Sequence, residues 1–363
     1  MEKIQARKEV LFWVISWRIN AVQKGGTISI EDFFHNRDNC PVIDVRSPSE
    51  FATGHIPNAY NIPLFSDEER AIVGTKYVQD GLYNAVIEGL RAVGPKLSKF
   101  VETLKSITSK QDVIVYCWRG GMRSQSMAWL FNLANFNAFA LDGGYKKYRK
   151  FAQSYFENPY KLIVLGGMTG SGKTELLKHL KNKGEQVIDL ENLANHKGSA
   201  FGWIGQQKQP STEHFENLLF EALLKIDPKI PTWIEDESKS IGSVFIPRQF
   251  FIRMSLCPTI SVEVPAEIRI RRLVSDYTQC NPNDLILSID KISKRLGGEN
   301  TRRCTDFINS GHFEEAVAIS LAYYDKAYRH GLINKTNPPI AVTLTDDIEM
   351  NIGQLLHQKE ILE

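Results

Sequence analysis

The 363-residue sequence predicts an α/β protein of two domains in tandem, each built on a parallel sheet. Three observations predict this. Short apolar runs of strand length alternate with amphipathic helical stretches along the chain. One such run, residues 113–116, ends in a cysteine and a glycine-rich loop that opens a helix. Another, residues 161–165, ends in a second glycine-rich loop that also opens a helix. Open α/β sheets put their ligands at the carboxyl ends of strands, so both loops are candidate sites.

The length suits two domains, with enough chain for sizeable cores. Hydrophobic content of 42% and charged content of 24% are those of an ordinary globular protein, and a net charge of +2 argues for no partner by itself. The five cysteines, Cys40, Cys117, Cys257, Cys280 and Cys304, are scattered with no CxxC spacing. That suggests neither a disulfide framework nor a zinc site, so no metal ligands are assigned, and a reduced, cytoplasmic setting fits. Residues 10–17 (VLFWVISW) follow Lys3, Arg7 and Lys8 like the front of a signal peptide. The run is short, Arg18 interrupts it and no cleavage site follows, so it reads as a helix packed on the first domain. No run is long enough for a membrane helix.

In the first domain, residues 40–45 (CPVIDV) are a buried strand, and Ser47-Pro48-Ser49-Glu50 is a turn entering a helix with Pro at an early position. Asp44 and Arg46 read as a structural ion pair or cap, and His55 as the fixer of a turn. Residues 67–94 have helical spacing broken by glycines, and 95–107 form an amphipathic helix. The strand at 113–116 then leads into Cys117-Trp118-Arg119-Gly120-Gly121-Met122-Arg123, with a helix starting at Ser124. Backbone N–H groups at a helix start favour negative charge. Two arginines add positive charge, and a thiol so placed loses its proton more easily. Trp118 either stacks on a base or covers the loop. A last strand at 138–141 ends in Asp142-Gly143-Gly144.

Residues 143–156 (GGYKKYRKFAQSYF) carry Lys146, Lys147, Arg149 and Lys150 among tyrosines. Alone, such a run is a solvated helical connector. With the rest of the chain it reads as a contact for a nucleic-acid backbone. Next, Gly167-Met168-Thr169-Gly170-Ser171-Gly172-Lys173-Thr174 is a Walker A P-loop in strand–loop–helix context. Its glycines let N–H groups wrap a di- or triphosphate, Lys173 neutralises the terminal phosphate, and Thr174 can hold Mg²⁺. Asp189 and Glu191 end the next strand. Glu235-Asp236-Glu237 ends another, in the position of a Walker B. Asp189, Glu235 and Asp236 are the expected supporting acids. Farther on, Arg269 and Arg272 lie on a basic helix that either clamps nucleic acid or is an exposed face. Helices dominate the rest, before a final strand at 340–344 and a helix capped by Asp346 or Asp347.

VIDVRSPSEFATGHIPNAYNIP, the cysteine loop and the closing LDGG resemble a rhodanese-type domain, whose loop cysteine carries sulfur or selenium. Asn58 stands where that family usually has Gly, and Asn tolerates the left-handed backbone there. The Cys-x5-Arg loop is one residue longer than a common sulfurtransferase loop and is similar to those of rhodanese-like phosphatases, so it admits a tetrahedral anion. Together with the P-loop, the motifs CWRGGMRS, GMTGSGKT, NHKGSAFG, IEDESKSIG and RLGGE in this order resemble the tRNA 2-selenouridine synthase family over nearly the whole chain from about residue 28.

The resemblance implies a rhodanese-like domain over 26–145 after an extension at 1–25. A basic linker over 146–158 and a P-loop NTPase-like α/β domain with helical C-terminal additions over 159–363 follow. It implies conversion of wobble 2-thiouridine in the anticodon region of tRNA to 2-selenouridine. The sulfur is first geranylated from geranyl diphosphate, then replaced by selenium from selenophosphate. Both are co-substrates, with no tightly bound cofactor. Cys117 is the implied catalytic residue, and Trp118, Arg119, Gly120, Gly121, Met122, Arg123 and Ser124 form the selenophosphate loop. Gly167, Thr169, Gly170, Ser171, Gly172, Lys173 and Thr174 bind the diphosphate. Lys146, Lys147, Arg149, Lys150, Arg269 and Arg272 are the candidates for tRNA contact. The alternative is a Cys-x5-Arg phosphatase or sulfurtransferase with a P-loop regulatory or kinase domain.

Overall fold

The computed structural model describes residues 26–333 and 337–362; the apolar stretch at 10–17 and the expectation attached to it lie outside them. The described chain falls into two compact units that divide between Ala152 and Gln153. Among the described residues no helix is long and apolar enough to cross a membrane.

The first unit is a five-stranded, all-parallel sheet. Its strands are β1 (Thr27–Ile28), β2 (Val42–Asp44), β3 (Tyr60–Asn61), β4 (Asp112–Tyr116) and β5 (Asn137–Leu141), in the order β1-β5-β4-β2-β3. The cysteine-bearing strand β4 is central, between β2 and β5. Its residues Val113 to Tyr116 are wholly buried, as a strand covered on both faces requires. The crossovers carry α1 (Ile30–Asn36), α2 (Pro48–Thr53), α3 (Asp67–Val93), α4 (Leu97–Ile107) and α5 (Met122–Leu133). Helix α3 starts at a capping box, in which Ser66 accepts from the Glu69 amide and Glu69 accepts from the Ser66 amide. Gly81, at φ +83°, bends it midway. Phe100, Leu104, Val113, Val115, Met127 and Phe131 form the heart of the core. Asn58 adopts the expected left-handed backbone, with φ +65°.

Of the expected linker over 146–158, residues 146–152 belong to this unit and 153–158 to the next. Residues Gly144–Tyr155 form helix α6, and the units divide inside it. The cause is aromatic burial: Tyr145 and Tyr148 are fully buried, and their rings stack 6.1 Å apart. Asp44 and Arg46 make the expected buried ion pair, and the Arg46 guanidinium lies 4.0 Å over the Tyr145 ring.

The second unit is also a five-stranded parallel sheet. Its strands are β6 (Leu162–Gly167), β7 (Gln186–Ile188), β8 (Thr232–Glu235), β11 (Thr259–Glu263) and β12 (Ile340–Thr343), in the order β12-β11-β6-β8-β7. A separate hairpin pairs β9 (Ser240–Ile241) with β10 (Val244–Phe245). The P-loop strand β6 is central and pairs with the acid-bearing β8. Helices α7 (Lys173–Asn182), α8 (Leu190–Ala194), α9 (Thr212–Leu223) and α10 (Arg248–Leu256) follow the strands. After β11 come α11 (Ala266–Tyr277), α12 (Pro282–Leu296), α13 (Gly298–Asn309) and α14 (Phe313–Ile333), and α15 (Ile348–Leu362) closes the chain. Helices α12 to α14 have their own apolar core, with Leu285, Ile289, Leu296, Cys304 and Ile308. That is the expected helical addition. Asp347 caps α15, accepting from the Glu349 amide at 2.9 Å.

Candidate functional site

The cysteine loop turns because glycine is obligatory in it. Gly120 has φ +68°, and a Cβ there would collide with the Leu141 carbonyl oxygen. Gly144, at φ +56°, has no room for a Cβ either, since the Cys117 carbonyl oxygen lies against it. The reason is visible in the hydrogen bonds. The Tyr145 and Lys146 amides, in the first turn of α6, donate to the Cys117 and Trp118 carbonyl oxygens at 2.9 Å each. The Gly-Gly after β5 therefore ties the loop to a helix start.

Cys117 is 3% exposed at the end of β4. The buried Ser124 hydroxyl lies 3.3 Å from Sγ and 3.1 Å from the Gly121 carbonyl oxygen. By rotating from the carbonyl to the sulfur it can donate to a thiolate. Gly121 is the N-cap residue of α5, so the loop also faces the positive end of a twelve-residue helix. Arg119 and Met122 are exposed. Arg123 is committed elsewhere: its Nη1 donates to Glu50 Oε2 at 2.7 Å. Burial alone would raise the Glu50 carboxyl, but the Arg123 guanidinium wins and holds it below its usual range. Glu50 also accepts from the Ser47 amide, so α2 is braced to this arginine. Trp118 packs on Tyr145, with ring centres 5.8 Å apart, and stays partly exposed, so it both covers the loop and offers a face. His55 stacks on Phe51 and bonds its carbonyl oxygen through Nδ1 at 2.9 Å, as a turn-fixing residue would.

The second loop has φ +155° at Gly167, +80° at Gly170 and +85° at Gly172, so its shape depends on glycine. Lys173 Nζ donates to the Gly167 carbonyl oxygen at 3.0 Å. Ser171 is 1% exposed, and its Oγ has no hydrogen-bond partner. Two arginines expected on a nucleic-acid face contact this loop; Arg269 is withdrawn from solvent, whereas Arg272 stays exposed. Arg269 is buried, pairs with both Asp325 oxygens at 2.8 and 2.7 Å, and donates to the Thr169 carbonyl oxygen at 3.1 Å. Arg272 donates to the Ser171 carbonyl oxygen at 3.0 Å. The arginine spacing on α11 is set by the P-loop beneath it. Asp325 was missed in the sequence; its signal was the conspicuous polar stretch YYDKAYRHG inside a long helix.

The acids divide by role. Asp189 caps α8, accepting from the Asn192 amide at 2.8 Å. Glu191, two residues on, reaches the P-loop helix and accepts from Thr174 Oγ1 at 3.2 Å. Glu235 is fully buried; Oε2 accepts from the Glu191 amide at 3.0 Å and Oε1 has no partner. Burial first, and the Glu191 charge second, push its carboxyl well up. The same two causes push Glu237 to about 8, and burial raises Glu191. Asp236 donates its amide to the Leu165 carbonyl oxygen, extending the β6–β8 pairing. Gly198, in the NHKGSAFG segment, lies against these acids: a Cβ there would sit 2.9 Å from Glu237 Oε1 and 3.0 Å from Glu191 Oε1. Among the described residues no group of three or more His, Cys, Asp or Glu is arranged to hold a metal ion.

Of the basic residues on α6, Arg149 is buried, whereas Lys146 and Lys150 are exposed. Lys147 pairs with Asp142 at 2.7 Å. Thus Arg149 and Arg269 are removed from any external contact surface.

Two measurements follow from this geometry. Breaking the buried Arg269–Asp325 pair with Arg269→Ala is expected to cost about 3–5 kcal/mol. Calorimetry would then show the second unit melting roughly 6–20 °C lower. Arg269→Met with Asp325→Leu should recover much of that loss. Glu237→Gln is expected to raise the melting temperature at pH 9 and leave it unchanged at pH 4. The folded carboxyl near 8 lies above its unfolded value of 4.5. The wild type therefore loses stability as pH rises between those values, and glutamine does not. Thermal scans at the two pH values check this.

The two sheets and their loops define the class: a rhodanese-like domain followed by a P-loop domain of the AAA type. Residues 30–151 match the rhodanese-like domain family, and residues 160–358 match the family described as the tRNA 2-selenouridine synthase AAA domain. A tRNA 2-selenouridine synthase of Sulfurovum sp. (strain NBC37-1) is 36% identical over 311 residues, covering 79% of this chain and 84% of the relative. That of Shewanella frigidimarina (strain NCIMB 400) is 32% identical over 335 residues, covering 82% and 90%. That of Nitrosomonas europaea is 39% identical over 251 residues, covering 67% and 64%. The chain belongs to the tRNA 2-selenouridine synthase family.

Proposed function

We propose that this protein is a cytoplasmic tRNA-modifying transferase. It converts wobble 2-thiouridine to 2-selenouridine by S-geranylation from geranyl diphosphate followed by selenation from selenophosphate. One observation carries the reading: the chain has two separate anion loops, one beside a cysteine and one beside an acid cluster. A two-step reaction with two different anionic donors uses both.

The P-loop suits the first step. Prenyl transfer to sulfur leaves a diphosphate, and neutralising that leaving charge is the main electrostatic task. Lys173 and the loop amides supply it, and Arg269 and Arg272 keep the loop in shape. Mg²⁺ takes one or two protein oxygens, with phosphates and waters completing the shell. Thr174 and Glu191 would hold it, and the partnerless Oε1 of buried Glu235 fits a site that receives a cation. There it would add charge neutralisation at the diphosphate.

The cysteine loop suits the second step. A thione sulfur on C2 is a poor leaving group, whereas an alkylated sulfur leaves readily. Selenophosphate is a tetrahedral anion of the size that a Cys-x5-Arg loop admits, and Arg119 and the start of α5 favour its charge. Cys117, its thiolate stabilised by the Ser124 hydroxyl, positions the donor or adds at C2; the geranyl thiolate leaves, the selenium of selenophosphate takes its place on C2, and water cleaves the P–Se bond to release phosphate. Lys146 and Lys150 are the α6 residues free to meet an RNA backbone.

Mass spectrometry of tRNA nucleosides after incubation with both donors tests the reading. Geranylated 2-thiouridine and then 2-selenouridine are expected in order; unchanged 2-thiouridine would sink it.

A further inference from the structure

In the first unit a groove of about 910 Å³ runs along α3 to the start of α5. Phe65, Val73, Leu82, Val86, Leu90 and Met122 line it, with Arg70 and Arg123 also on its wall. Its rim is unusually apolar for a surface: Val78 is 83% exposed and Leu90 62%. Contiguous exposed apolar area of this kind marks a binding surface. The bend at Gly81 falls within the run of α3 residues that line it.

Two features select the occupant. First, Met122 and Arg123 belong both to the groove and to the cysteine loop. A ligand held by that loop therefore has the groove beside it. Second, the polarity is that of an amphiphile's site. Glu50, bonded to Arg123 and 3.9 Å from Arg70, leaves a net cationic end, and the remaining wall is mostly hydrocarbon. By contrast, the cavity beside the P-loop, lined by Thr169, Phe201, Leu273 and Tyr277, has a volume of about 20 Å³, room for one water.

We propose that the groove receives the hydrocarbon chain carried on the sulfur of the substrate nucleoside during exchange at Cys117. This rests on the function proposed above and adds a substrate-recognition site to the cysteine loop. Binding of the chain gives the selenation step its preference for an S-prenylated over an S-methylated or unalkylated nucleoside.

The test uses the full chain and anticodon stem–loop RNA bearing S-geranyl-2-thiouridine, S-methyl-2-thiouridine or 2-thiouridine. Leu82→Asp and Val86→Trp are expected to raise KM for selenation of the geranylated RNA tenfold or more. Neither should alter turnover of the methylated RNA or geranylation of the 2-thiouridine RNA. In equilibrium binding the wild type should prefer the geranylated over the unalkylated RNA, and Leu82→Asp should abolish that preference. Equal losses on all substrates, or an unchanged preference, would overturn the assignment. So would a change of oligomeric state in sedimentation with no effect on KM, which would make the groove a contact between copies. A wild type that processes no geranylated RNA would instead defeat the underlying function, and the groove assignment with it.

Discussion

Lys173→Ala is expected to lower geranyl transfer by about 10²–10³-fold, the usual loss when one preorganised donor to a developing charge is removed. The P-loop amides remain, so the donor still binds, and the loss falls mainly on turnover. The loop should keep its shape, because Lys173 bonds one carbonyl within it, whereas Arg269 and Arg272 tether it from outside. Selenation of RNA supplied already geranylated should change little. Single-turnover assays with 2-thiouridine RNA and with pre-geranylated RNA separate the two steps. Equal loss in both would mean that the P-loop serves the selenium step as well.

Cys117→Ala is expected to show the opposite pattern. Selenium incorporation should fall on the order of 10³-fold or more, as when a nucleophile is deleted. Geranylated RNA should then accumulate in the presence of both donors. The folding cost should be modest, since alanine replaces a small side chain of the apolar core whose Sγ bonds Ser124 Oγ and, weakly, the Gly121 carbonyl. Loss of geranylation with selenation intact would reverse the assignment of steps to domains. Ser124→Ala provides a graded companion: it removes the hydroxyl beside Sγ and should slow selenation, by less than Cys117→Ala does, while leaving geranylation unchanged. Single-turnover selenation of pre-geranylated RNA reads that loss directly.

Much of the site was legible in the sequence because its constraints are local. The glycines at 120, 167, 170 and 172 announce positive φ at a strand-to-helix turn, and such turns expose backbone amides wherever they occur. Asn58 and Asp347 announced their turn and cap for the same reason: partner and residue lie within a few positions. What could not be read were partners distant along the chain. Glu50 claims Arg123, Asp325 claims Arg269, and the Arg272 guanidinium, though exposed, bonds the Ser171 carbonyl oxygen. A run of basic residues looks the same whether its guanidiniums face solvent or carbonyl oxygens. Lys146 and Arg149 share one helix, and only the packing of Tyr145 and Tyr148 decides that Arg149 is covered and Lys146 is not.

By itself the sequence determined the tandem α/β plan, both glycine-rich loops, the cysteine and the lysine in them, and the acids at the strand ends. Periodicity and turn chemistry act over a few residues, so they survive in the string. The tertiary structure alone decided which charges are spent internally, and it revealed the apolar groove beside the cysteine loop. A groove is a space between elements far apart in sequence, here α3 and α5, and no local pattern encodes the space they leave. The same holds for Glu237, whose raised carboxyl comes from burial beside Glu191, a residue supplied by a different strand–helix junction.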